Sequence, residues 1–225
     1  VHLALHTPPP HNRKDTTMGN RAVITTTEKK MGVYLHWNGG RDSVEAFLKY
    51  CELRKFRSPS HDCYGWARLC QIISNFFNAD GLSIGIDTYD RLDTNNWDNG
   101  VYVIDGWQIV DRLFFDGEEQ YIYNLDEMLH DIDKSQPKEQ QLGAYLDAEE
   151  IQVSEVQIGD LIYFDTIGGT TEPRKIIGFG TKDHVNGSGY LGRPYTDIYG
   201  DAERGYEWNC NNYVPGETCR RVPRG

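Results

Sequence analysis

No stretch of this 225-residue chain approaches 18 consecutive apolar residues, so the sequence pattern contains no candidate for a membrane-spanning helix. No C-x-x-C pair occurs, and the five cysteines (Cys51, Cys63, Cys70, Cys210 and Cys219) are odd in number. That usage suits a reducing compartment better than a secreted disulfide scaffold, and it points to a cytoplasmic protein. Cys210 and Cys219 are close enough in sequence to close a loop, but nothing in the sequence requires it. His36, His61, His130 and His184 are scattered without ligand spacing, so neither zinc nor any other cofactor is expected. There is no repeat at solenoid spacing. The opening "VHLALHTPPPHNRKDTT" has no Met start and no apolar segment of signal-peptide length, and it carries three successive prolines. Residues 1–17 are therefore expected to be a disordered upstream extension, with the organised chain beginning at Met18.

What the chain does have is aromatic surface and negative charge. Only 38% of residues are hydrophobic, yet 14 Tyr and 5 Trp add enough burying area for a packed core. The net charge is -11 and is unevenly placed. Residues 1–79 carry 11 Lys or Arg against 6 Asp or Glu, a net of +5. Residues 80–133 carry 2 Arg against 14 Asp or Glu, a net of -12, and residues 134–225 have a net of -4. One segment thus holds the whole excess. Such a face repels nucleic acid and attracts basic protein surfaces, including the grooves of nucleic-acid enzymes. As a solvated surface it also aids solubility.

Periodicity predicts the elements. "NRAVITTT" and "MGVYLHW" read as two strands of a hairpin. Val44, Phe47, Leu48 and Cys51 then fall on one helical face, with Asp42 or Ser43 as the expected cap. A second helix is predicted over roughly 62–78, with Trp66, Leu69, Cys70, Ile73, Phe76 and Phe77 as a wide apolar stripe. "LSIGI" reads as a short buried strand. "VYVIDGWQIVDR" reads as a hairpin around Asp105-Gly106, a favoured turn pair. "NLDEMLHDIDK" reads as a helix opened by Asn124 and Glu127. The fold expected is α+β: an antiparallel sheet with two or three helices over 18–134, a polar linker over 135–150, and a small SH3-like β-barrel over 151–225. The aromatics Tyr190, Tyr195, Tyr199, Tyr206, Trp208 and Tyr213 suit the core of that module or a ligand groove on it.

Four stretches carry candidate chemistry. "NGGRDS", Asn38-Gly39-Gly40-Arg41-Asp42-Ser43, resembles the SGGxDS signature of the PP-loop ATP pyrophosphatases, departing from it at Asn38. Two glycines and a helix N-terminus can present N–H groups to an anion. That family, however, needs a buried parallel strand before the motif. Without one, the stretch is a strand-to-helix turn with a cap. "HDCYGWARLC" resembles the start of NlpC-type cysteine peptidases, with Cys63 at a helix N-terminus as nucleophile. "VQIGDLIYFD" resembles a strand of the same family, but no His follows it at the family's position, and a thiol without a base is inert. No catalytic residue is therefore assigned. In "DTYDRLDTNNWDNG" the residues Asp87, Asp90, Asp93 and Asp98 break the Ca²⁺-loop pattern at Trp97, and no metal is expected there. Those four acids, with Trp97, Asp116, Glu118 and Glu119, instead form the expected partner-binding set, because an aromatic among exposed acids suits a protein contact.

The phrases "GNRAVI", "GVYLHWNGG", "SVEAFL", "YGWARLCQ" and "DNGVYVI" resemble a protein family of phages and other mobile elements of Gram-positive bacteria, over about residues 18–112. The family has no assigned catalytic residues. What the resemblance implies is a mobile-element protein in the cytoplasm of a bacterial host. Such elements encode small acidic proteins that block host nucleases, so the expected function resembles that of an anti-CRISPR or other anti-defence inhibitor. Its partner would be a protein, a host nuclease, with no direct contact to nucleic acid or membrane.

Overall fold

The computed structural model describes residues 20–78, 83–166, 169–170, 172–180, 196–200, 210–213 and 216–224. The expected extension over 1–17, His184, the side chains of the C-terminal aromatics from Tyr190 to Tyr213, and a Cys210–Cys219 pair lie outside the described residues.

The chain is α+β. Strands β1 (Ala22–Thr26) and β2 (Met31–Leu35) form the expected antiparallel hairpin. Helix α1 (Arg41–Leu53) follows, then α2 (Cys63–Phe76) and the strand β3 (Ile84–Thr88). β4 (Val101–Asp105) and β5 (Gln108–Leu113) form a second hairpin, and α3 (Leu125–Ser135) closes the first half. The five strands lie in the order β3-β2-β1-β4-β5.

β1 and β4 pair in parallel, with Val23 opposite Val101 and Thr25 opposite Val103. The sheet is therefore mixed, not purely antiparallel as the hairpins suggested. The reason is the crossover: strand β2, two helices and the edge strand β3 intervene between β1 and β4, ample length for a parallel neighbour. A central strand must bury both faces, and β1 is buried at all five positions. Ala22 and Ile24 face the helices, with Val44, Phe47, Leu48, Leu69 and Ile73 in the main core. Val23, Val101 and Val103 pack on the other face under Tyr89 and Leu92. β3 lies at the sheet's edge rather than inside it, and its Ile86 is exposed, contrary to the buried strand expected there.

Local signals account for most element ends. Asp62 caps α2 by accepting from the Tyr64 N–H at 3.0 Å, and Asn124 caps α3 by accepting from the Glu127 N–H at 3.1 Å. α1 differs from expectation. Its cap position is Gly40, which has no side chain to offer, and Asp42 sits inside the first turn, accepting from the Ser43 N–H at 2.7 Å. The second hairpin turns at Gly106-Trp107, one residue later than expected, since Asp105 pairs with Gln108. Of the two turn residues only Gly106 has positive φ (61°), which suits a turn that needs it at the first central position alone. The shift lets the Trp107 indole N–H donate to the Phe56 carbonyl at 2.8 Å.

The stretch 135–150 alternates exposed residues with buried anchors. Leu142, Tyr145 and Ala148 belong to the main core. The buried Asp133 carboxylate draws the stretch in by accepting from the N–H groups of Leu142 (2.6 Å) and Gly143 (3.0 Å).

Beyond it lie β6 (Glu149–Gln152), β7 (Leu161–Tyr163), the short ribbon β8 (Asp165–Thr166) with β9 (Gly169–Thr170), β10 (Arg174–Gly180), β11 (Thr196–Gly200), β12 (Cys210–Tyr213) and β13 (Thr218–Arg221). Six of these form an open sheet, in the order β12-β11-β10-β7-β13-β6. This corrects the barrel expectation: β12 and β6 end the sheet and do not pair with each other among the described residues. A register shift between Ile176 and Gly178 divides β10, whose start pairs with β7 and whose remainder pairs with β11. The core of this sheet centres on Ile151, Val156, Ile162, Phe164, Ile176 and Ile198.

Candidate functional site

Two stretches that are far apart in sequence meet at one end of the first sheet. The loop into α1, which carries Gly39 and Gly40, runs beside the start of β1. Gly39 donates to the Asn20 carbonyl at 2.7 Å, and a Cβ on Gly39 would stand 2.6 Å from that oxygen. Only glycine fits there. The segment 114–124 leaves β5 and crosses the first turns of α1 as a strap. Gln120 Oε1 accepts from the Asp42 N–H at 3.4 Å, Glu119 pairs with Arg41 at 3.4 Å, and the Tyr123 hydroxyl donates to Glu45. Burial, and then the Glu45 carboxylate, push the Tyr123 hydroxyl up to about 12.

The strap is anchored through Arg112. Its guanidinium carbon lies 3.6 Å from the centre of the Tyr102 ring and 4.2 Å from that of Phe115, so the cation is held between two aromatic rings. Its Nη1 donates to both oxygens of Glu119 at 2.6 Å, and Nη2 donates to the Asn99 carbonyl. Arg112 Nε and the Tyr102 hydroxyl are buried with no hydrogen-bond partner. Burial pushes the Tyr102 hydroxyl well above the ordinary tyrosine range.

Facing the strap is the loop 93–100. Asn96 is fully buried at its centre. Its Oδ1 accepts from the N–H groups of Asp98 (3.1 Å) and Gly100 (3.0 Å), and its Nδ2 donates to the carbonyls of Asp93 (3.1 Å) and Gly100 (3.3 Å). This one side chain sets the loop. It holds Trp97 in a left-handed conformation (φ 60°) that costs a bulky residue about 1–2 kcal/mol, and leaves its indole 85% exposed. Asp98 turns inward to accept from Arg21 Nε at 2.7 Å.

Between loop and strap lies a groove of about 450 Å³, lined by Trp97, Asp98, Phe115, Asp116, Glu118 and Glu119 among others, with Arg41 at its base. The groove thus unites five of the eight expected partner-binding residues with one residue of the "NGGRDS" turn. Asp98 and Glu119 are committed to internal ion pairs. Asp116 and Glu118 make no hydrogen bond or ion pair among the described residues. Asp93 is half-exposed, 4.0 Å from Arg21. Asp87 and Asp90 lie apart, at β3 and the turn after it, where Asp87 accepts from the Thr88 N–H at 2.8 Å and pairs with Arg91.

The remaining "NGGRDS" residues make a closed turn. Asn38 has positive φ and donates to Ser43 Oγ at 3.3 Å. Two N–H groups in the first turn of α1, those of Asp42 and Ser43, already have acceptors in Gln120 and Asp42. The strand leading into the turn, β2, is antiparallel to both its neighbours, β1 and β3. Cys63, the candidate nucleophile, is exposed at the start of α2. Among the described residues no group of three or more His, Cys, Asp or Glu side chains is placed to hold a metal ion. No described helix is long and apolar enough to cross a membrane.

Sequence reading missed Asn96, Arg112 and Phe115. Asn96 had a signal in its position two before Asp98 and four before Gly100, which suits side-chain capping of a turn. Compared with protein-family models, with curated proteins and with solved structures, the chain matches none.

Proposed function

We propose that this is a non-enzymatic acidic binding protein that docks on a basic protein surface, in the manner of mobile-element anti-defence proteins that occupy the DNA groove of a host nuclease. One observation carries the reading. An exposed tryptophan on a loop braced by Asn96 lines one groove with two carboxylates, Asp116 and Glu118, that have no partner among the described residues. Binding hot spots combine a pre-set aromatic with charge at the rim, and braced loops lose little entropy on binding. The -12 segment adds long-range attraction for a basic surface, which raises the association rate. The resemblance to mobile-element proteins supplies the biological setting, a bacterial cytoplasm.

The test is DNA cleavage by RNA-guided and restriction nucleases of Gram-positive hosts, with the protein added in excess. The wild-type protein is expected to slow at least one of them, less so as salt rises. A variant carrying D90K, D116K and E118K is expected to lose most of that inhibition. If no nuclease is slowed, or the charge-reversed protein inhibits equally, the reading fails.

A further inference from the structure

We infer that the groove between Trp97 and the strap is a subsite for an arginine side chain of the bound partner. The inference rests on the docking function just proposed and names the chemistry of its central contact.

The molecule holds a guanidinium of its own next to this groove. Arg112 is sandwiched by Tyr102 and Phe115, forked onto Glu119, and capped by a backbone carbonyl. Phe115 covers Arg112 and also lines the groove. A second cation entering the groove therefore finds Phe115 and Trp97 among its lining, with Asp116 and Glu118 as carboxylates that make no hydrogen bond or ion pair among the described residues. The groove lining thus offers the same kinds of group that hold Arg112, aromatic rings and carboxylates.

Charge and shape favour arginine over other occupants. The lining carboxylates outnumber the single lining cation, Arg41, and that cation is already matched by Glu45 and Glu119. An anion is therefore repelled. A guanidinium stacks flat on aromatic rings and presents a fork of N–H donors to carboxylates, whereas a lysine ammonium is a compact, strongly hydrated point charge. A volume of about 450 Å³ holds a side chain of this size together with its water.

The experiment is calorimetric titration of the full chain with two short peptides, Ac-Gly-Arg-Gly-Arg-Gly-NH2 and its lysine counterpart, at low salt. The arginine peptide is expected to bind about tenfold more tightly than the lysine peptide. Trp97→Ala, and separately Asp116→Asn with Glu118→Gln, are expected to weaken it about tenfold while leaving the melting temperature unchanged. Equal binding of the two peptides, no binding, or unchanged binding in both variants overturns the inference. So does calcium chloride displacing the arginine peptide at equimolar concentration, which makes the groove a cation site of another kind. The two readings separate cleanly: nuclease inhibition that Trp97→Ala weakens, with no preference for the arginine peptide over the lysine peptide, leaves the docking function standing and removes this subsite.

Discussion

The hydroxyl of Tyr50 donates to Asp133 Oδ1 at 2.6 Å, joining α1 to α3 across 83 residues of chain. Tyr50 is fully buried and Asp133 nearly so. With the N–H groups of Leu142 and Gly143, the carboxylate has three donors. Burial, and then the Asp133 carboxylate, push the Tyr50 hydroxyl far above its ordinary value, so it stays a donor at any working pH. Tyr50→Phe removes one donor and is expected to cost about 1–2 kcal/mol. Asp133→Ala strands three buried donors and is expected to cost about 3 kcal/mol or more. Urea unfolding followed by circular dichroism measures both, and a Tyr50→Phe variant that loses as much stability as Asp133→Ala refutes the ranking.

Asn96→Ala removes the four bonds that the Asn96 side chain makes within the loop 93–100. The expected loss is about 2–4 kcal/mol, because the polar groups left behind are buried. The same change frees Trp97 from its left-handed conformation. Partner binding should therefore weaken in Asn96→Ala even below the melting transition, measured on folded protein at low temperature.

Gly65 lies one turn into α2, where helix propensity alone favours alanine by about 1 kcal/mol. Packing reverses the sign. A Cβ at Gly65 would stand 2.2 Å from the Ser58 carbonyl carbon and 2.3 Å from the Pro59 nitrogen, both backbone atoms. Gly65→Ala is expected to destabilise by about 2–3 kcal/mol. Ala67→Gly, on the exposed side of the same helix, is expected to cost only about 1 kcal/mol. Thermal melts of the two variants compare them directly.

Two groups give opposite pH dependences. The Arg224 guanidinium, at 2.8 Å on each oxygen, and the Gln157 N–H hold the Asp160 carboxyl below its ordinary range. Its contribution is complete above the unfolded carboxyl pKa of about 3.9 and is lost as pH falls through the lower folded value. His130 is raised, first by the Asp126 carbonyl and then by Asp147. Its contribution is complete below the unfolded value of about 6.5 and is lost as pH rises through the folded one. Asp160→Asn should flatten the stability profile on the acid side and His130→Gln near neutrality, as read from melting temperature against pH.

How much of this was legible depended on sequence distance. The apolar spacing of Leu69 and Ile73 placed α2, and Asn124 with Glu127 marked the start of α3, because helices and caps are local. The β1–β2 hairpin was legible for the same reason. Parallel pairing of Val23 with Val101 was not, since no short-range pattern encodes a partner 78 residues away. The groove was read only in pieces. Trp97, Asp116 and Arg41 were each singled out, but what joins them is the Arg112–Glu119 clasp, a cross-chain contact with no local signature. The turn falls one residue later than the Asp-Gly pair suggested because Asp105 pairs with Gln108, which puts Gly106 at the first central position.

The central position of β1 also governs how the protein is made. Its parallel neighbour begins at Val101, so a nascent chain carries β1 and β2 long before that edge can be covered. Throughout that interval Val23 and Thr25 belong to a β-branched strand with one row of backbone donors and acceptors open. The first hundred residues cannot complete their sheet alone, and a chain stopped before β4 displays a sticky edge. A chain truncated before Val101 is therefore expected to aggregate more readily than the full chain.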